Sequence, residues 1–207
     1  MKPLLSEADH ARVAAAVTAA EARTAVELRL VLARASGHYG LYEVIYPSVA
    51  ALVLGGVIAA VQPDLGAAWL FLREAAIFLV LLALLLWPAL RRALVPPAVK
   101  REAAWRHARL HYAALGLTQP HVKSTLLLFC SAAERTVEIL VDDAIGERLP
   151  PASWQPVIAA FKAAFAGGRT ADAFAEAATS CADILAPLFP SKPGQVNEVP
   201  DDLVEIK

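Results

Sequence analysis

Charge is scarce in this chain of 207 residues: Asp, Glu, Lys and Arg make up 19%, where about 25% is usual. Nineteen basic against 20 acidic side chains leave a net charge of −1. Phosphate neutralisation needs a basic face, so the balance excludes nucleic acid as a partner. Cysteine occurs only at Cys130 and Cys181, which reads as two buried free thiols in a reducing compartment rather than a disulfide framework. The opening residues lack a basic run followed by an apolar stretch and a small-residue cleavage site, so an N-terminus not exported by cleavage is expected. Nucleotide-cradling loops of the G-x-x-x-x-G-K-[ST] or G-x-G-x-x-G type are missing, and so is any H-E-x-x-H zinc motif. Ser124 and Thr125, beside Lys123, stand outside any G-x-S-x-G setting, which leaves nucleophilic catalysis without support.

What the chain has instead is apolar residues, 57% of the total against about 45–50% in ordinary domains. Most of the excess lies between Leu41 and Leu94. From Val44 to Val61 there is no charged side chain, and that run, as a helix, covers about 27 Å of a hydrocarbon core about 30 Å thick. A second run, Ala75 to Leu90, follows a connector in which Pro63, Asp64 and Gly66 supply turn chemistry and Arg73 and Glu74 stay out of lipid. A two-helix transmembrane hairpin is expected over residues 41–95. Small residues Ala51, Gly55, Gly56 and Ala60 would let the helices, or copies of them in a homo-oligomer, approach closely. Tyr46, Trp69 and Trp87 fall near the expected ends, where interfacial aromatics sit.

Orientation follows from the cationic residues. Arg29 and Arg34 precede the hairpin, while Arg91, Arg92, Lys100, Arg101, Arg106 and Arg109 follow it, with Arg73 alone between the spans. Both termini are therefore expected in the cytoplasm of a bacterium, with the hairpin in its inner membrane. Arg91, Arg92, Lys100 and Arg101 suit either lipid headgroups or a solvated helix face.

The flanks read as two parts of one water-facing domain. Ser6 and Asp9 form a capping-box pair ahead of Val13, Val17 and Ala20 at helical spacing. In "AVELRLVLAR" the period becomes two, with Val26, Leu28, Leu30 and Leu32 on one face and Glu27, Arg29 and Val31 on the other. After the hairpin, residues 99–117 return to helical spacing, with Gly116 as the stop. Then "STLLLFCS" and "RTVEILVD" read as a strand hairpin with Val137, Ile139 and Val141 inward. Helices follow from about Ser153 to Ala166 and from about Thr170 to Leu188, separated by Gly167 and Gly168. The first strand cannot bury a face alone and must pair with those after the insertion. The tail from 191 to 207 has turn residues and acids without period, and reads as extended.

The element order, with "LFCSAAERTVEILVDDAIGERLPPASW", resembles the TPM domain family, which includes thylakoid-lumen and photosystem II repair proteins and many bacterial membrane proteins. Its strongest carriers are the turn at Glu134-Arg135, Asp142, the run Ala144-Ile145-Gly146 and Trp154. The resemblance covers about residues 4–35 and 98–190, with the tail. It implies a small-sheet α/β sandwich, here divided into 1–40 and 96–190 by the hairpin, followed by a tail over 191–207. As an alternative activity it implies a calcium-binding acid phosphatase, with Asp142, Asp143 and Glu134 as its acidic residues.

Read on their own, Asp142, Asp143 and Glu147 form the best acidic cluster, and hard cations such as Ca²⁺ favour several oxygens from one loop. The alternative is turn chemistry and helix-end solvation. Glu134 and Arg135 are either family-site residues or a polar hairpin turn. His107 and His111 have the four-residue spacing used by zinc sites, or belong to a basic helix face. No convergent catalytic set stands out, so the chain reads as a membrane-anchored interaction or assembly module acting on a membrane protein complex, with the calcium-dependent phosphatase as the alternative.

Overall fold

A computed structural model describes residues 3–37, 39–64, 66–87, 90, 93–114, 124–191 and 201–206. The chain divides into two compact units, residues 1–36 with 101–207, and residues 37–100.

The first unit opens with α1 (Glu7–Glu21), started by a complete capping box in which the Ser6 hydroxyl accepts from the Asp9 N–H and the Asp9 carboxylate accepts from the Ser6 N–H. The reciprocal bonds satisfy two of the amide donors that every helix start leaves without partners. Strand β1 (Glu27–Ala33) follows. Beyond the second unit come α4 (Pro97–Ala114), β2 (Thr125–Ser131) and β3 (Thr136–Val141). Next are a single turn α5 (Asp143–Gly146), a 3-10 turn over Pro151–Trp154, α6 (Gln155–Ala166), α7 (Thr170–Leu185) and β4 (Val204–Ile206). Gly168, at φ 76, makes the left-handed turn between α6 and α7, a conformation that costs glycine least.

The four strands form one mixed sheet in the order β3-β2-β1-β4. β1 and β2 run parallel with Glu27 opposite Thr125 through to Ala33 opposite Ser131, so the strand before the insertion does pair with the strand after it. β2 and β3 are antiparallel, from Leu126 opposite Val141 to Ser131 opposite Thr136. The tail, read from its sequence as extended, supplies β4, parallel to β1 at Val31–Ala33. Glu205 on β4 accepts from the amides of Leu4 and Leu5, each at 2.9 Å, and meets His10 Nε2 at 3.1 Å. Three residues of pairing hold a strand weakly; the carboxylate joins it to the start of α1.

Two apolar layers sandwich the sheet. Leu28, Leu30 and Leu32 of β1 and Leu126, Leu128 and Cys130 of β2 pack with residues of α1, α6 and α7. On the opposite face Val31, Ala33, Leu127 and Phe129 pack with Ala108 of α4. Both cysteines are free and buried, and burial pushes each thiol up to about 12, so they serve as core residues.

The second unit is α2 (Gly40–Val61) and α3 (Ala67–Leu85), each long and apolar enough to cross a membrane. Only 17% and 6% of their apolar windows are buried. The second helix starts earlier than its composition suggests. Arg73 and Glu74 lie inside α3 rather than in the connector, because both residue types favour helix and nothing in Ala67–Leu72 breaks it. Arg73 Nη1 donates to Gln62 Oε1 at 2.8 Å. The small residues separate into two pairs: Ala51 and Gly55 are buried, whereas Gly56 and Ala60 are exposed. A Cβ built on Gly55 would lie 3.3 Å from Glu74 Cδ, while one on Gly56 meets nothing within 4 Å.

Two outcomes test this packing. Phe174 is fully buried, with its ring edge-on to Phe161 at 4.9 Å, so Phe174→Ala should cost roughly 3–5 kcal/mol of unfolding free energy in detergent. Gly55→Leu should loosen the α2–α3 pair and raise its protease sensitivity, whereas Gly56→Leu should leave both at the wild-type level.

Candidate functional site

The polar residues of interest gather at the two ends of β1. Its alternation survives in three dimensions, but the face carrying Glu27, Arg29 and Val31 is buried like the other, with Glu27 1% and Arg29 8% exposed. A sequence in which apolar and charged residues alternate normally signals a strand with one wet face. Here that face carries a charged pair in the interior, where charges need partners.

At the N-terminal end of β1 the partners come from α1 and the tail. A Glu21 carboxylate oxygen accepts from the Leu28 N–H at 2.7 Å, occupying the strand edge that β4, confined to Val31–Ala33, leaves uncovered. Arg29 Nη1 donates to the Asp202 carbonyl at 3.3 Å, and the Thr18 hydroxyl bonds the Asp201 carboxylate. Burial lifts Glu21 to about 8; Glu27 and Asp201 add to the shift and the Leu28 amide opposes it. Burial also lowers the Arg29 value, against the pull of Asp202, Asp201 and Glu21. The result is an acid-rich group with one guanidinium, assembled from positions far apart in the chain. Glu21, Asp201 and Asp202 carried no local motif that could have marked them.

At the other end, where β1 and β2 present their C-termini, Glu134 is buried. Its Oε2 accepts from the Ser36 amide at 3.0 Å and from the Ser131 hydroxyl, and the Ser36 hydroxyl donates to Ser131 Oγ at 2.8 Å. The carboxylate thus ties the segment leaving β1 to the β2–β3 turn. Arg135 is exposed and holds φ 52, the left-handed position of that turn. The pair therefore divides: Glu134 is an interior clamp, Arg135 a turn residue.

Asp142 caps α5. One carboxylate oxygen accepts from the Ile145 amide at 2.9 Å and the other from the Thr125 amide at 3.3 Å. Asp143 and Glu147 are exposed on α5 and just beyond it. Among the described residues, no group of three or more His, Cys, Asp or Glu side chains has a metal-holding arrangement. Tyr112 on α4 lies close enough to feel both aspartates: burial, then Asp142 and Asp143, push its phenol up to about 12. Lys100 and Arg101 stand in the first turns of α4, half-buried and exposed respectively, while Arg91 and Arg92 lie outside the described residues, as do Gly116, His121 and Lys123.

With this geometry in place, comparison with known proteins adds a family match. Residues 98–184, α4 to α7, match the family model of the TPM domain, the family that the strand-turn-strand signature resembles. No curated protein matches the chain. Among solved structures, the NMR structure of BA42 protein from the psychrophilic bacteria Bizionia argentinensis sp. nov. is similar, with 13% identity and a TM-score of 0.62. The match covers 99% of this chain and 97% of that one. At that identity the likeness is one of fold, and the mixed α/β sheet is common to both.

The Glu21 group predicts a pH dependence. Its folded value, about 8, lies above the ordinary 4.5, so between those limits the folded chain keeps a proton that the unfolded chain releases. The stabilisation is complete below about 4.5 and is lost as pH rises through about 8. Glu21→Gln keeps an acceptor for Leu28 and a donor for Asp201 while removing the ionisation. Its stability in denaturant titrations should therefore exceed the wild type's by a margin that grows from pH 5 to 8 and is level above it.

Proposed function

We propose, on the premise of a TPM domain at residues 98–184 in a chain with two membrane-length helices, that this protein is a membrane-anchored interaction module. The single observation that carries the reading is the position of residues 37–100, inserted between β1 and α4 of the α/β unit. An anchor placed there joins the domain to the bilayer through two chain crossings, one entering and one leaving, rather than through a single flexible terminus. Such a mount limits the directions in which the domain is presented, which suits a module that engages a neighbour fixed in the same membrane.

The cation distribution supports an orientation with both termini cytoplasmic in a bacterial inner membrane. Arg91, Arg92, Lys100, Arg101, Arg106 and Arg109 follow the hairpin and only Arg73 lies between its helices. Exposed Trp69 and Trp87, at the two ends of α3, agree with interfacial placement. The partner of this reading is a membrane protein complex whose assembly or maintenance the domain assists. The structural uses of Glu134 and Asp142 favour this reading over the calcium-dependent phosphatase, since both carboxylates already accept hydrogen bonds from the fold itself.

Native-level tagged protein should stay with membranes through alkaline carbonate washing and, in mild detergent, should bring down a defined membrane complex. The complex should still be recovered when residues 37–100 are replaced by an unrelated two-span hairpin. Release by carbonate would remove the anchor; recovery of the chain alone at native expression would remove the interaction role.

A further inference from the structure

We propose that His107 and His111 form a two-histidine chelate for a divalent transition-metal ion, on the part of α4 that overlies Phe129 of β2. The residues are four apart on one helix, so they share a face. Their Nε2 atoms converge to 3.2 Å, with ring centroids 4.8 Å apart and the planes tilted by 41°. Metal–imidazole bonds of about 2.0–2.1 Å to two nitrogens at that separation enclose an angle of about 100°, open to tetrahedral or square coordination.

The rings are positioned before any ion arrives. His107 lies 5.6 Å and His111 6.3 Å from the Phe129 ring, which is itself fully buried in the sheet. Burial, and then the neighbouring His107, depress the His111 value. Without metal, the two nitrogens share one proton in an N–H···N hydrogen bond. Coordination needs only that this proton move to Nδ1 of its own ring, leaving both Nε2 lone pairs on the ion; no redox partner or other co-reactant enters. Two protein nitrogens leave the remaining positions to water, which makes the site exchangeable, unlike the closed four-ligand sites that hold structural zinc. Its affinity should follow the usual order for nitrogen ligands, with Cu²⁺ above Ni²⁺ and Zn²⁺.

The test is titration of the detergent-solubilised full chain with Cu²⁺, read by electron paramagnetic resonance. The wild-type spectrum should show hyperfine coupling to two imidazole nitrogens in a one-to-one complex. His107→Ala and His111→Ala should each lower affinity by about tenfold or more, since losing a ligand costs at least what losing a supporting contact does. His10→Ala should change nothing. Coupling to one nitrogen or none in the wild type, or unchanged Cu²⁺ binding in the double variant, would overturn the proposal. The nitrogen count is read on the wild type and so stands even if a variant folds poorly.

Discussion

The parallel pairing of β1 with β2, seven residues in unbroken register from Glu27–Thr125 to Ala33–Ser131, holds the first unit together across its insertion. Parallel strands need a long crossover between them, and sheets of this kind are usually covered on both faces. Here the crossover contains α2, α3 and α4, and β1 is one of two inner strands, flanked by β2 on one side and by the edge strand β4 on the other. Everything else in the unit is arranged around a strand that has no wet side: three helices over one face, α4 on the other, and an acidic residue, Glu21, set against the amide that β4 does not reach.

That burial explains the chemistry at both ends of β1. Arg29 is an interior charge, so the fold sets Asp202, Asp201 and Glu21 near it instead of solvent, while Glu27 on the same face helps to raise the Glu21 value. Ser131 and Glu134 play the corresponding part at the opposite end, where the hairpin turn would otherwise leave the Ser36 amide without an acceptor. Both arrangements use a carboxyl group to satisfy a backbone donor, and Glu21 does so in its protonated form below about 8. Asp142 does the same for α5. Of the acidic residues that stand out in the sequence, Glu134 and Asp142 are thus occupied with the backbone, while Asp143 and Glu147 are exposed.

Local signals made much of this legible in the sequence. The capping box at Ser6 and Asp9, the period-two run of β1, the β2–β3 hairpin and the Gly167-Gly168 break all correspond to observed features. What local signals could not reveal was decided by distant partners. Alternation put Glu27 and Arg29 on one face, but nothing nearby in the chain announces that this face is buried. Val204–Ile206 is too short and too mixed in character to declare itself a strand; it exists because β1 offers an edge. Arg73 and Glu74 were assigned to the connector on their charge alone, yet helix propensity carried α3 through them, and Glu74 lies beside the side-chain-free Gly55. Small residues at 51, 55, 56 and 60 looked like one stripe, but a helix turns far enough between Gly55 and Gly56 to place them on different sides.

The β1–β2 register also sets an order of events during synthesis. Ala33 leaves the ribosome long before Thr125, its partners for the sheet not yet made, and the two apolar helices emerge in the interval. The sheet is therefore completed only after both apolar helices have emerged, and β1 waits through that interval with α1 as the one packing partner already made. A nascent chain stalled at that stage would present the other face of a hydrophobic strand to its surroundings, making the interval between the second apolar helix and β2 the moment when a holding chaperone matters most.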